Sequence, residues 1–169
     1  MGRVIYRWVR HKGGSSGCGR TRFVAGDGCL TVPAERDLRR LLRTMRPVLH
    51  PGRFVFATVP GPVPPGLRPV VTVAEDEGLT LVVSQPQADA AGLAYDYVAA
   101  WITLRVNSAL DAVGLTAAVA SELARTGLSC NVVAGFHHDH LFVPYPRAAG
   151  ALAALEALTR SAAPPSPPG

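Results

Sequence analysis

The stretch WITLRVNSALDAVGLTAAVASELARTGLSCNVVAGFHHDHLFVPYP, residues 101–146, decides the fold. Trp101–Val106 is aromatic and β-branched enough for a strand. Ser108–Leu115 follows as a loop. Thr116–Thr126 carries Val119 and Leu123 at the four-residue spacing of one helix face, and Gly127 stops it as a C-terminal cap. Cys130–Phe136 reads as a strand, His137–Asp139 as a tight turn and His140–Tyr145 as a strand. Pro146 separates that strand from a helix over Arg147–Arg160, with Leu152, Leu155 and Leu158 among its apolar positions.

The order is β-α-β-β-α. It is the split βαβ order of a ferredoxin-like unit, an α+β module whose antiparallel sheet is covered by helices on one face. Moving towards the N-terminus, Leu38, Leu41, Leu42 and Met45 line one face of a helix over Glu35–Met45, and Pro47 forbids its continuation. Arg53–Val59 is a strand, and residues 60–69 are a proline-rich loop. Val70–Val73 and Leu79–Val83 form a hairpin around the acidic turn Ala74–Gly78. Gln85–Leu93 is a short helix with Pro86 in its first turn. This first half resembles a degenerate copy of the second, without a long helix between its first two strands. The expected organisation is therefore a first module over 35–95 and a second over 96–160. An extension over 1–34 and a tail over 161–169 are expected to be disordered, and the extension can equally be a non-native start.

Composition limits the function classes. The chain has 169 residues, 48% of them hydrophobic and 17% charged, enough apolar material for a core. Six of the 17 basic residues (Arg3, Arg7, Arg10, Lys12, Arg20 and Arg22) lie in residues 1–30 against one acid, Asp27. The remainder, with 11 bases and 11 acids, is neutral, so the net charge of +5 is no argument for a nucleic-acid partner of the body. No stretch approaches the roughly 20 apolar residues of a membrane span. No uninterrupted apolar leader core is present either, and a cytoplasmic protein is expected. Cys18, Cys29 and Cys130 have no C-x-x-C spacing, and Cys130 is expected to be a buried thiol.

Two clusters offer chemistry. Ser108-Ala109-Leu110-Asp111-Ala112-Val113-Gly114-Leu115-Thr116 joins a strand to a helix. The first helical N–H groups lack intrahelical partners and favour an anion such as a ligand carboxylate. Asp111 can pair with an ammonium group and Ser108 adds a hydroxyl, which together suit an α-amino acid. The same residues also make an ordinary turn and cap. The second cluster is His137-His138-Asp139-His140. Strand alternation lets His138 and His140 converge while His137 and Asp139 face away, and two ligands are half a zinc site. A hairpin turn in which Asp139 caps backbone N–H groups is the competing reading. No G-x-S-x-G elbow and no phosphate-binding loop occurs, so no catalytic residue, metal or cofactor is assigned.

With these residues in view, the chain resembles a family of bacterial tandem ACT-domain proteins. The same domain type occurs in the regulatory part of aspartate kinase and in the cytosolic arginine sensor of animals. The resemblance runs from about Asp37 to Arg160. It is firmest at Asp37–Met45 with Arg46-Pro47 and Pro51-Gly52, at Glu77-Gly78-Leu79-Thr80, and at Trp101-Ile102-Thr103-Leu104. Ala112–Ala118 and Cys130–Pro144 complete it. It implies two tandem βαββαβ ACT modules binding a small effector, commonly an amino acid, where modules pair. It further implies ligand contacts from Asp111, Val113, Gly114 and Leu115, with Asn131 and Asp139 as further contacts. The first module has no matching Asp-x-x-Gly loop, which puts a second equivalent site in doubt.

The expectation is a non-enzymatic regulatory protein whose ligand changes the arrangement of its ACT modules. Homo-oligomers through sheet edges, and neither nucleic acid nor membrane, are the expected partners. A ligand-free interaction module, or an enzyme using His138, Asp139 and His140, are the alternatives.

Overall fold

The computed structural model describes residues 4–5 and 34–162. The expected extension and tail lie outside the described residues, apart from Val4–Ile5, Ala34 and Ser161–Ala162. Val4–Ile5 forms a two-residue strand, β1.

Helix α1, Leu38–Thr44, starts where Asp37 accepts a hydrogen bond from the Arg40 N–H at 2.7 Å. Leu41 and Met45 are buried, as the helical spacing of the apolar residues requires. The helix gives way at once to β2, Arg46–Leu49, a strand that the sequence reading did not foresee. Pro47 is tolerated there because, among the described strands, β2 pairs with β6 alone.

The remaining elements follow the expected order. They are β3 (Phe54–Val59), β4 (Val71–Glu75), β5 (Gly78–Ser84), α2 (Gln85–Ala90), β6 (Val98–Arg105) and α3 (Leu115–Arg125). Then come β7 (Asn131–Ala134), β8 (Asp139–Pro144), a 3-10 turn at Tyr145–Arg147 and α4 (Ala148–Ser161). Gly127 sits at φ 71° just beyond α3, the left-handed conformation a C-terminal cap needs.

All strands join one sheet in the order β1-β7-β8-β6-β3-β5-β4, with β2 also on β6. The central strand β6 belongs to both modules. Its Ile102–Arg105 end pairs with β2 and its Val98–Ala99 end pairs with β3, on the same side. The second module is thus β7-β8-β6-β2, and the first is β4-β5-β3-β6. Loop 60–70 replaces the helix missing between β3 and β4, as expected for the degenerate copy.

Alternation along the strands divides the sheet into two faces. Ala100, Ile102 and Leu104 of β6 join Leu41, Val119, Leu123, Leu141 and Leu155 in the main core beneath α1, α3 and α4. Val55, Leu81 and Val83 pack with Ala88 of α2. Phe54, Phe142 and Trp101 occupy the other face and cover one another. Phe56 meets Phe142 edge-on at 5.4 Å and Phe54 meets Trp101 at 5.3 Å.

Candidate functional site

The loop from β6 to α3 is pinned before it reaches the helix. The Glu35 N–H donates to the Asn107 carbonyl at 2.9 Å, and the Ala109 N–H donates to the Glu35 carbonyl at 3.0 Å. Arg36 then grips Asp111 with two bonds of 3.2 and 3.1 Å. That hydrogen-bonded guanidinium holds the Asp111 carboxyl below the usual carboxylate range. Both side chains are exposed, so the pair positions the loop more than it stabilises the fold. Gly114 takes φ 103°, and a Cβ there would lie 2.9 Å from Leu38 Cδ2. Helix α3 begins at the next residue with no side-chain cap.

Between this loop, the start of α3 and the ends of β7 and β8 lies a cavity of about 90 Å³. Ser108, Ala109, Leu110, Ala112, Leu115, Thr116, Val132, Ala134 and Asp139 line it. Asp139 is 8% exposed. Among the described residues no hydrogen bond reaches its carboxylate. Burial pushes its pKa up, with the His138 charge acting in the opposite sense. Asp139 is the first residue of β8 and not a turn residue capping backbone N–H groups. The turn is closed by the Gly135 N–H donating to the His138 carbonyl at 3.0 Å. A Cβ on Gly135 would lie 2.6 Å from that oxygen.

The structure therefore brings Ser108, Leu115 and Asp139 to one cavity. Asp111 points to Arg36 instead, and Val113 is 85% exposed outside the lining. Gly114 shapes the entry to α3 by packing on Leu38. Asn131 does not join them. It is one residue out of phase with Val132 and lies on the opposite face, lining a groove of about 610 Å³ with Phe56, Thr58, Glu75, Thr80 and Asp96. Sequence reading missed the Arg36–Asp111 pair, whose members are 75 residues apart. It also missed the burial of Asp139, although the alternation with Leu141 and Val143 carried that signal.

The histidines separate. His138 Nδ1 bonds the Val106 carbonyl at 3.1 Å. On the open face, Thr103 Oγ1 lies 2.7 Å from His50 Nε2 and 2.9 Å from His140 Nδ1. The Trp101 indole N–H donates to the same His140 nitrogen at 3.2 Å, and His50 stacks on the Trp101 ring at 3.7 Å. Among the described residues no group of three or more His, Cys, Asp or Glu side chains is arranged to hold a metal. Burial pushes the Cys130 thiol up to about 12, which makes it a poor nucleophile. No described helix is long and apolar enough to cross a membrane.

Comparison with known proteins agrees with this architecture. Two ACT-domain family models match, one over residues 33–100 and one over residues 97–157, and they meet in β6. A Vibrio cholerae protein of unknown function, described as a possible transport protein, is 46% identical, with a TM-score of 0.67. The match covers 72% of this chain and 95% of that one. An Agrobacterium tumefaciens protein shares the fold at 21% identity and a TM-score of 0.55, over 68% of this chain and 89% of its own. The regulatory subunit of Thermus thermophilus aspartate kinase shares it at 12% identity and a TM-score of 0.53, over 69% and 97%. No protein of curated function matches the sequence. ACT domains are commonly ligand-binding regulatory modules and not catalytic ones. With two such domains spanning residues 33–157 and a 46% identical relative covered almost end to end, the chain belongs to the ACT-domain family.

Proposed function

We propose that this protein is a regulatory module controlled by an amino-acid effector, which binds in the cavity between the 108–115 loop, the start of α3 and Asp139. The observation that carries this reading is Asp139, a largely buried residue that lines the cavity and whose carboxylate has no hydrogen bond among the described residues. A carboxylate at a mostly buried position gains from a cationic partner, and an α-ammonium group is one. Effector occupancy favours one arrangement of paired ACT modules, and a downstream partner reads that arrangement.

Thermal unfolding in the presence of each common amino acid tests the reading. At 100 times its dissociation constant the effector stabilises by about 2.7 kcal/mol, roughly 5–10 °C in Tm for a body of this size. A set of melting curves that no amino acid moves would remove the effector. A ligand-free assembly module is the competing reading, favoured by β4, which pairs with β5 alone and leaves one strand edge open among the described residues. Sedimentation with and without amino acids separates the two, because a pure assembly module ignores them.

A further inference from the structure

Helices α1 to α4 all lie on one face of the sheet. Ala100, Ile102 and Leu104 of β6 pack beneath α1, α3 and α4. Val98 of the same strand packs beside Ala88 of α2, at the alternation that puts all four β6 residues on one side. No described helix covers the other face, where Phe56, Tyr97, Trp101 and Val133 stand half-buried around Phe54 and Phe142.

Opposite charges gather at the two ends of that open face. Arg46 and Arg105 are cross-strand partners in the β2–β6 pairing, and Arg105 shares the alternation of Trp101 and Thr103. Both arginines therefore belong to the open face, and two like charges set opposite one another are unfavourable. At the other end, Glu75 shares the alternation of Val71, and Asp96 lines the groove with Phe56. All four charged residues are exposed. The ion pairs among the described residues are Arg36–Asp111, Arg40–Glu35 and Arg125–Glu122, and they leave these four out. From Asp96 to Arg105 the chain runs along β6, which sets the ends roughly 25–30 Å apart at ~3.3 Å per residue.

A two-fold axis lets such a surface answer itself. With the axis in the plane of contact near Trp101, midway between the ends, the arginines of each copy meet Glu75 and Asp96 of the other. The aromatic centres then meet as well. The six strands β7-β8-β6-β3-β5-β4 span about 24 Å at ~4.8 Å spacing, so the face measures on the order of 700 Å². A stable interface buries about 800 Å² per partner, which this face nearly supplies.

We infer that the open sheet face is the interface of a homodimer. A second copy of this chain docks face to face, its acidic end on the basic end of the first. The contact is distinct from pairing through the β4 edge and does not depend on an effector.

Sedimentation of the full chain over the micromolar range, without amino acids, tests it. The chain should dimerise, and raising salt from about 0.1 to 0.5 M should weaken the dimer, because charged contacts are screened. Arg105→Glu and Asp96→Arg should each weaken it at least about tenfold, since every reversal is repeated at two symmetric contacts. The double variant exchanges the two signs and should recover most of the loss. Both positions are exposed, so the variants should keep the native circular dichroism spectrum. Should one fail to fold, the salt series carries the test on the unaltered protein. A monomer throughout the range overturns the inference, as does a dimer indifferent to salt. A dimer that neither reversal weakens uses another surface, such as the β4 edge, and overturns it too. A double variant no tighter than the single ones overturns the pairing of the ends.

Discussion

Thr103 and Asp139 are the buried polar side chains of the described body, and their surroundings differ sharply. Thr103 bonds histidines on both sides, whereas the Asp139 carboxylate has no hydrogen bond among the described residues. Burial raises the pKa of Asp139 above its unfolded value, so the native state binds the proton more tightly than the unfolded one. Stability then rises as pH falls into the range just above the ordinary carboxylate pKa. Replacing the carboxylate should stabilise the ligand-free protein at neutral pH. We expect Asp139→Asn to raise its stability by about 1 kcal/mol in urea melts at pH 7.5. A loss of stability there would show that the carboxylate has a partner in the native state. His140 behaves in the opposite sense. Burial, then the charges of His50 and His138, lowers its pKa, and Nδ1 already accepts from Trp101. The unfolded state therefore takes up the proton first, and stability is lost as pH falls below about 6.5. His140→Gln should remove much of the difference between urea midpoints at pH 7.5 and 5.5; an unchanged difference places the titration elsewhere. Residue identities in the cavity were legible in part. Ser108, Leu115 and Asp139 stood in the two clusters that the sequence marks. Asn131 lies apart from them, in the groove on the other side of the sheet, because it is one position out of phase with Val132 along its strand.

At the scale of elements, α1, α3, α4 and the β4–β5 hairpin were readable because each announces itself locally, through helical spacing, Gly127 or the acidic turn within Ala74–Gly78. Strand β2 was not. Arg46-Pro47-Val48-Leu49 begins directly after a helix and contains a proline, and only its pairing with the far end of β6 makes it a strand. The α3 start is the element on which the site depends. Gly114 combines a positive φ with contact on Leu38, so Gly114→Ala should cost about 1–2 kcal/mol and weaken effector binding. Leu123→Ala, at a fully buried position on the inner face of α3, should cost about 2–5 kcal/mol while leaving the cavity chemistry unchanged. Chemical denaturation of both variants, with and without the amino acid that the thermal screen identifies, separates packing from positioning. A Gly114→Ala protein with full stability and full binding would show that the loop conformation does not matter.

For the molecule as a whole, the shared strand decides the behaviour. The sequence reading divided the chain at 95/96, just ahead of β6, and gave β6 to the second module alone, whereas the strand pairs with β2 and β3 on one side and β8 on the other. Neither module has a complete sheet without it. Unfolding should be a single transition, with far-ultraviolet circular dichroism and tryptophan fluorescence superimposing in urea; two separated transitions would mean independently folding modules. The duplication was legible from the order of elements, but the sharing was not, because it is a matter of long-range pairing.

The most direct test of the effector site is to titrate the isotopically labelled full chain with each common amino acid, beginning with the one that most raises the Tm, and follow its backbone amides by two-dimensional nuclear magnetic resonance. A site at Asp139 predicts saturable shifts centred on Leu115, Thr116, Ala134 and Asp139, and their loss in Asp139→Asn. Saturable shifts centred on Asn131, Phe56 and Asp96, or no shifts with any of the common amino acids, would contradict it.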